Sequence, residues 1–158
     1  MPSGRADSPI RIRPAHPGDL ANLSLLCLRS KAVWGYSAGF IAACRRFLEL
    51  RPDDLARSHV AVAERRGHAI GVAQVTPGGQ RATLEKLYVE PRALRMGAGA
   101  ALFADAARAA RATGALELVI DSDPGAAGFF LRMGARPAGE AASPAIAGRL
   151  LPRLVLPL

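Results

Sequence analysis

Gly97 and Gly99 follow Arg92 and Arg95 and open an alanine-rich run within YVEPRALRMGAGAALFADA, residues 88 to 106. Spaced glycines behind arginines, where a strand-like run gives way to a helix-like one, suit the binding of an anion. The first N–H groups of a helix have no partner inside it, and the macrodipole adds roughly half a positive charge at that end. A phosphate placed there is stabilised without any side chain, and glycines let the backbone approach it closely. The segment therefore reads as a pyrophosphate cradle, although a structural turn or tight helix packing would use the same glycines. Two other phosphate loops do not fit. No Lys-Ser or Lys-Thr follows, as a GxxxxGK[ST] loop requires, and Leu102 stands where a GxGxxG dinucleotide fingerprint needs its third glycine.

The rest of the chain must position that loop. Its 158 residues suit one domain with a real core. No run approaches the ~20 apolar residues of a membrane span. The opening MPSGRADSPIRIRP has no apolar signal region, so the expectation is a cytoplasmic protein that does not contact membranes. Cys27 and Cys44 are too few for a disulfide framework and read as small buried hydrophobes on helices, and no Cys/His cluster suggests a metal. The net charge of +8 is almost all arginine, the only lysines being Lys31 and Lys86. That balance attracts anions. The arginines are spread along the chain with no tract and no aromatic interleaving, so no nucleic-acid partner is expected.

PIRIRPA (9–15) alternates like a short strand, and Pro17 and Asp19 suit the opening of a helix whose core stripe is Leu20, Leu23, Leu26 and Cys27. Gly35 breaks it. A second helix through Phe40, Ile41, Cys44, Phe47 and Leu48 stops before Pro52. Two strands joined at Arg66-Gly67 and a third, RATLEKLYVE, precede the glycine-rich loop and its helix, which Gly114 ends. ALELVI is a strand. In DPGAAGFFLRMG, Asp123 is the natural N-cap, Pro124 takes the first helical position and Gly134 ends the helix. RLLPRLVLPL is a last strand, expected at a sheet edge because Pro152 cannot donate to a ladder. The order is β-α-α-β-β-β-α-β-α-β, with a short extra strand possible near 136–140: one mixed α/β sheet flanked by helices.

Taken together, IRPAHPGDLANLSLL, LEKLYVEPRALRMGAGAAL and DPGAAGFFLRMGARPAGE, in that order, resemble the GNAT N-acetyltransferase superfamily over essentially the whole chain. The middle block is similar to its acetyl-CoA motif, and SKAVWGYSAGFIAACRRFL to the helix pair that covers the acceptor in one bacterial branch. The resemblance implies a single GNAT-like domain using acetyl-CoA as acyl donor, with no metal. Arg95, Met96, Gly97, Ala98, Gly99 and Ala100 would wrap the CoA pyrophosphate. The strand at Leu87 and Val89 would run beside the pantetheine, where a bulge or splay would free a backbone N–H to polarise the thioester carbonyl. Asp123 would also reach the pantetheine, unless it is a plain N-cap.

Two positions depart from the family pattern. Leu94 replaces the Gln or Arg that begins the motif, and Arg95 or Arg92 can supply the charge. Phe130 stands where a tyrosine usually lies beside the thioester sulfur, so the usual proton donor is missing. Slower chemistry is expected, with water, Ser122 or a nearby tyrosine protonating the thiolate. Glu85 is the leading candidate base, expected to share a strand face with Thr83 and Leu87. Its bland alternative is a solvated carboxylate. Trp34 and Tyr36 are candidates for an aromatic wall around the acceptor, although Trp34 is as well suited to the core. The resulting expectation is direct N-acetylation of a small-molecule or protein amine in a ternary complex. The alternative is an inactive acyl-CoA-binding module. A homodimer paired through the apolar C-terminal strand is a further expectation.

Overall fold

A computed structural model describes residues 8–158. Its strands are β1 (Arg11–Pro14), β2 (His59–Arg65), β3 (His68–Thr76), β4 (Arg81–Val89), β5 (Glu117–Asp121), β6 (Arg136–Ala142) and β7 (Leu150–Pro157). Its helices are α1 (Leu20–Ala32), α2 (Ala38–Leu48), α3 (Pro52–Arg57), α4 (Ala98–Ala112) and α5 (Ala127–Arg132). The strands form one sheet in the order β1-β2-β3-β4-β5-β7-β6, antiparallel except where β4 meets β5. Helices cover both faces, as the mixed α/β reading expects.

Three elements differ from the sequence reading. Helix α3 was not foreseen, yet Pro52 at its first position and Asp53 and Asp54 in its first turn are ordinary start signals, and Asp54 accepts from the Arg51 N–H at 2.8 Å. The extra strand near 136–140 is real and longer, and it takes the edge. Strand β7 therefore lies inside the sheet, between β5 and β6, despite Pro152. The ladder to β6 accommodates this with a register shift between Pro137 and Glu140. With both its sides occupied, β7 is not available to pair with a second copy, so that route to a dimer is corrected.

Packing explains the two faces. Val60, Val62, Val72 and Tyr88 meet Leu23, Leu26 and Cys27 of α1 and Cys44 and Leu48 of α2. Burial pushes the Cys27 thiol up to about 12, the state of an inert core residue. On the other face, Ala61, Ala63 and Ala73 make a shallow surface on which Leu102 of α4 is fully buried. Burying a leucine contributes roughly 1.5–3 kcal/mol. Gly71 is required there: a Cβ would lie 2.8 Å from Leu102 Cδ1. At the start of α1, Asp19 accepts from both terminal nitrogens of Arg13 at 2.8 and 3.0 Å and from the His16 N–H, tying β1 to the helix.

Candidate functional site

Strand β4 carries the site, and one irregularity organises it. Val75 and Gln74 are consecutive on β3, but their partners are Leu84 and Lys86, so Glu85 is an extra residue in the ladder. This is a β-bulge, and it reverses the strand's alternation. Leu84 packs with Phe103 on the α4 face, and so does Leu87, three residues on. Lys86 and Tyr88 turn to the α1 face. Glu85 therefore does not share a face with both Thr83 and Leu87, as plain alternation predicted.

A second break is the splay. Strands β4 and β5 pair only from Arg81↔Glu117 to Thr83↔Val119. Beyond that they diverge, and a cleft of about 630 Å³ opens between residues 84–89 and 120–123. The expectation of a bulge or splay beside Leu87 and Val89 is met by both features.

At one end the cleft meets the glycine-rich loop. Arg95 has φ 64° and Gly97 φ 88°, with no positive φ at Met96 between them. Such alternation of handedness turns successive N–H groups towards a common side, an anion-binding concavity. Among the described residues, no side chain caps the start of α4, and the first helical bond there runs from the Ala101 N–H to Gly97. The amides of residues 95–100 can thus hold a diphosphate. Gly97 is needed for its φ, since a Cβ there would meet nothing within 4 Å, whereas a Cβ at Gly99 would stand 3.4 Å from the Phe129 ring, an ordinary contact. Of the two glycines, only Gly97 is demanded by backbone conformation.

Arg95, Gly97, Ala98, Gly99, Ala100, Glu85, Leu87, Val89, Asp123, Phe130 and Trp34 all line this cleft. Met96 does not: it is 47% exposed and its Sδ accepts from Arg65 Nη1 at 3.0 Å. Trp34 is 48% exposed and not in the core. Its ring lies on Gly125, where a Cβ would come within 2.8 Å of it. Phe130 is 5% exposed and packs at 5.5 Å from Phe103 and 5.1 Å from Phe129. Glu85 is exposed and, among the described residues, forms no ion pair.

Asp123 is not a helix N-cap, because α5 starts only at Ala127. Its Oδ1 accepts from the Gly125 N–H at 2.9 Å, closing a turn, while Oδ2 accepts from Lys31 Nζ and Tyr36 Oη, each at 2.7 Å. Burial alone would raise the Asp123 carboxyl, but Lys31 and Tyr36 outweigh it and hold it below the usual carboxylate range. Burial and the same contact push the Tyr36 phenol up. Tyr36 stacks on Phe40 at 4.0 Å and accepts from Arg149 Nη2 at 2.7 Å. It is therefore a support for Asp123 rather than a wall beside Trp34. The sequence reading missed Lys31, Lys86 and Arg149, although the rarity of lysine was a visible signal. It also missed Glu90, buried at the end of β4 and held by Arg29 of α1 through two 2.8 Å bonds.

The comparison with protein families agrees with this geometry: residues 30–135 match the acetyltransferase (GNAT) family. The chain belongs to that family. Among solved structures, a GCN5-related N-acetyltransferase of Rhodopseudomonas palustris superposes with a TM-score of 0.76 at 24% identity, covering 99% of this chain and 100% of that one. PaiA N-acetyltransferase of Thermoplasma acidophilum, in complex with coenzyme A, gives 0.77 at 16% identity over 95% and 99%. The ribosomal-protein-S18-alanine N-acetyltransferase of Escherichia coli gives 0.69 at 20% identity over 94% of both chains. These likenesses establish the GNAT fold. No curated protein matches the chain by sequence. Among the described residues of this GNAT chain no helix is long and apolar enough to cross a membrane, and no group of His, Cys, Asp or Glu could hold a metal.

Proposed function

We infer that the chain transfers an acetyl group from acetyl-CoA to an amine by direct attack. The observation that carries this reading is the continuity of an uncapped amide concavity at 95–97 with the splay between β4 and β5. The amides of residues 95–100 bind the diphosphate, and Leu87 and Val89 flank the pantetheine arm. Acetyl-CoA supplies the acetyl group as an activated thioester. Beyond Thr83, β4 no longer pairs with β5, and its backbone polarises the thioester carbonyl. The amine nitrogen bonds to the carbonyl carbon as the C–S bond breaks. Glu85, directly or through water, takes the proton the nitrogen loses, and the departing thiolate gains one from solvent or from Ser122. Cys27 is buried and inert, so no covalent enzyme intermediate is invoked.

The rival reading is an acyl-CoA-binding module without turnover, and Phe130 favours it, because a ring in that place has no proton to give. Thiol release during incubation with acetyl-CoA and a panel of amines separates the two. Release that depends on an amine supports transfer; stoichiometric CoA binding with no release for any amine overturns it.

A further inference from the structure

The chain has only two lysines, Lys31 and Lys86, in an otherwise arginine-based surface, and both are buried. Lys31 is 8% exposed and lies 2.7 Å from the Asp123 carboxylate. Lys86 is 9% exposed, lines the cleft and, among the described residues, has no carboxylate partner. Its only hydrogen bond among the described residues goes to Gln74 Oε1, at 3.0 Å. Gln74 is itself fixed, because its Nε2 donates to Ser58 Oγ at 2.9 Å. The amide is thus oriented so that its oxygen, not its nitrogen, faces the ammonium.

An ammonium carries three donors, and Lys86 uses one. Burying such a charge without a counter-ion is costly. The three carboxylates that line the cleft do not neutralise it: Asp121 is held by Arg153 at 2.8 Å, Asp123 by Lys31, and the neighbouring Glu85 forms no ion pair. The bulge at Glu85 is what turns Lys86 away from the apolar α4 face. The ammonium therefore waits on the α1 side of the strand that carries the proposed reaction.

We propose that Lys86 receives a carboxylate of the acceptor, so that this chain acylates small amines that carry a carboxylate close to the nitrogen. The proposal rests on the acyl-transfer reading for the identity of the amine, but the anion site itself can be measured without turnover. The short separation follows from Glu85 and Lys86 being adjacent in the chain and lining the same cleft. A lysine on a protein surface, whose nearest carboxylate is remote and variable, fits this less well than an amino acid.

Because the chain has two lysines, lysine-selective ¹⁵N labelling gives two side-chain nitrogen signals, assigned with Lys86→Met. Titration with N-acetylglycine is expected to shift the Lys86 signal saturably and to leave Lys31 in place, whereas N-acetylglycinamide moves neither. No shift with the acid, or equal shifts with acid and amide, overturns the anion site. In turnover, amino acids should be preferred to their amides. Lys86→Met should raise the amino-acid KM about tenfold to a hundredfold, the value of one charge-assisted hydrogen bond. The KM for acetyl-CoA should stay within about twofold. If amides are acylated as well as acids, the Lys86 proposal fails and acyl transfer stands. If no amine releases thiol, acyl transfer fails and the nitrogen titration still decides Lys86. Should Lys86→Met not fold, wild-type titration with acid and amide decides alone, and Gln74→Leu supplies the variant.

Discussion

The two faces of β4 are built from different materials. On the α4 face, the cradle is backbone: a left-handed arginine, a left-handed glycine and the uncapped start of a helix, with alanines and Phe129 packed around them. On the α1 face, the environment is side chains: Lys86 on Gln74, Lys31 and Tyr36 on Asp123, and Arg149 over Tyr36 and Phe40 at 5.2 and 4.8 Å. If the proposed acyl transfer holds, a backbone cradle recognises what every CoA thioester shares. A side-chain surface can change one residue at a time, and acceptor choice belongs there.

The comparison can be broken most severely at Asp123. Asp123→Ala leaves Lys31 buried without its carboxylate, and about 3 kcal/mol of stability should disappear in urea unfolding. If the two faces are independent, CoA affinity of the folded variant changes less than about threefold; a larger loss would mean that Asp123 itself touches the cofactor. Gly97→Asp attacks the other face. It places a negative charge and a side chain at a φ of 88°, and calorimetry should show CoA affinity falling about a hundredfold. Gly97→Ala, which meets no neighbour, separates the cost of the backbone from that of the charge. Glu85→Gln should lower kcat about a hundredfold with the KM for acetyl-CoA unchanged, a general-base effect. An unchanged kcat would return Glu85 to the role of a solvated carboxylate.

Smaller effects sharpen the picture. The hydrogen bonds from Arg13 lower the Asp19 carboxyl from 3.8 to about 2. Its folded value is depressed, so its stabilisation is present above pH 3.8 and lost as pH falls towards 2. Acid unfolding of Asp19→Asn should differ from wild type by about 1 kcal/mol above that window and converge below it, after allowance for screening at a partly exposed site. Phe130→Tyr is expected to change turnover least, raising it or leaving it unchanged. A large loss would show that the apolar ring is itself required.

The same division explains what could be read from the residues alone. The cradle is contiguous, its Gly97 carries a backbone requirement, and the order of strands and helices around it follows from periodicity. The α1 face joins residues 31, 36, 86, 123 and 149, which no local pattern connects. Asp123 looked like an N-cap because Asp-Pro opens many helices, but α5 begins only at Ala127, and Lys31 and Tyr36, far away in the chain, hold the oxygen that Gly125 leaves free. Strand β7 looked like an edge because proline cannot donate, and only its pairing with β6 shows that the ladder tolerates it. Glu85 was singled out for its place on the strand leading to the loop, and it lines the cleft, but its bulge depends on a register with β3 that alternation cannot reveal.

That bulge makes Glu85 the one residue of this stretch that the ladder between β3 and β4 could spare. Deleting Glu85 would leave Val75↔Leu84 and Gln74↔Lys86 as consecutive pairs, so Lys86, Leu87 and Val89 would keep their faces while the local bend and the carboxylate were lost. One missing codon would thereby straighten the strand without turning any other side chain over, whereas pressing Glu85 into the ladder would invert the half of the strand that follows it.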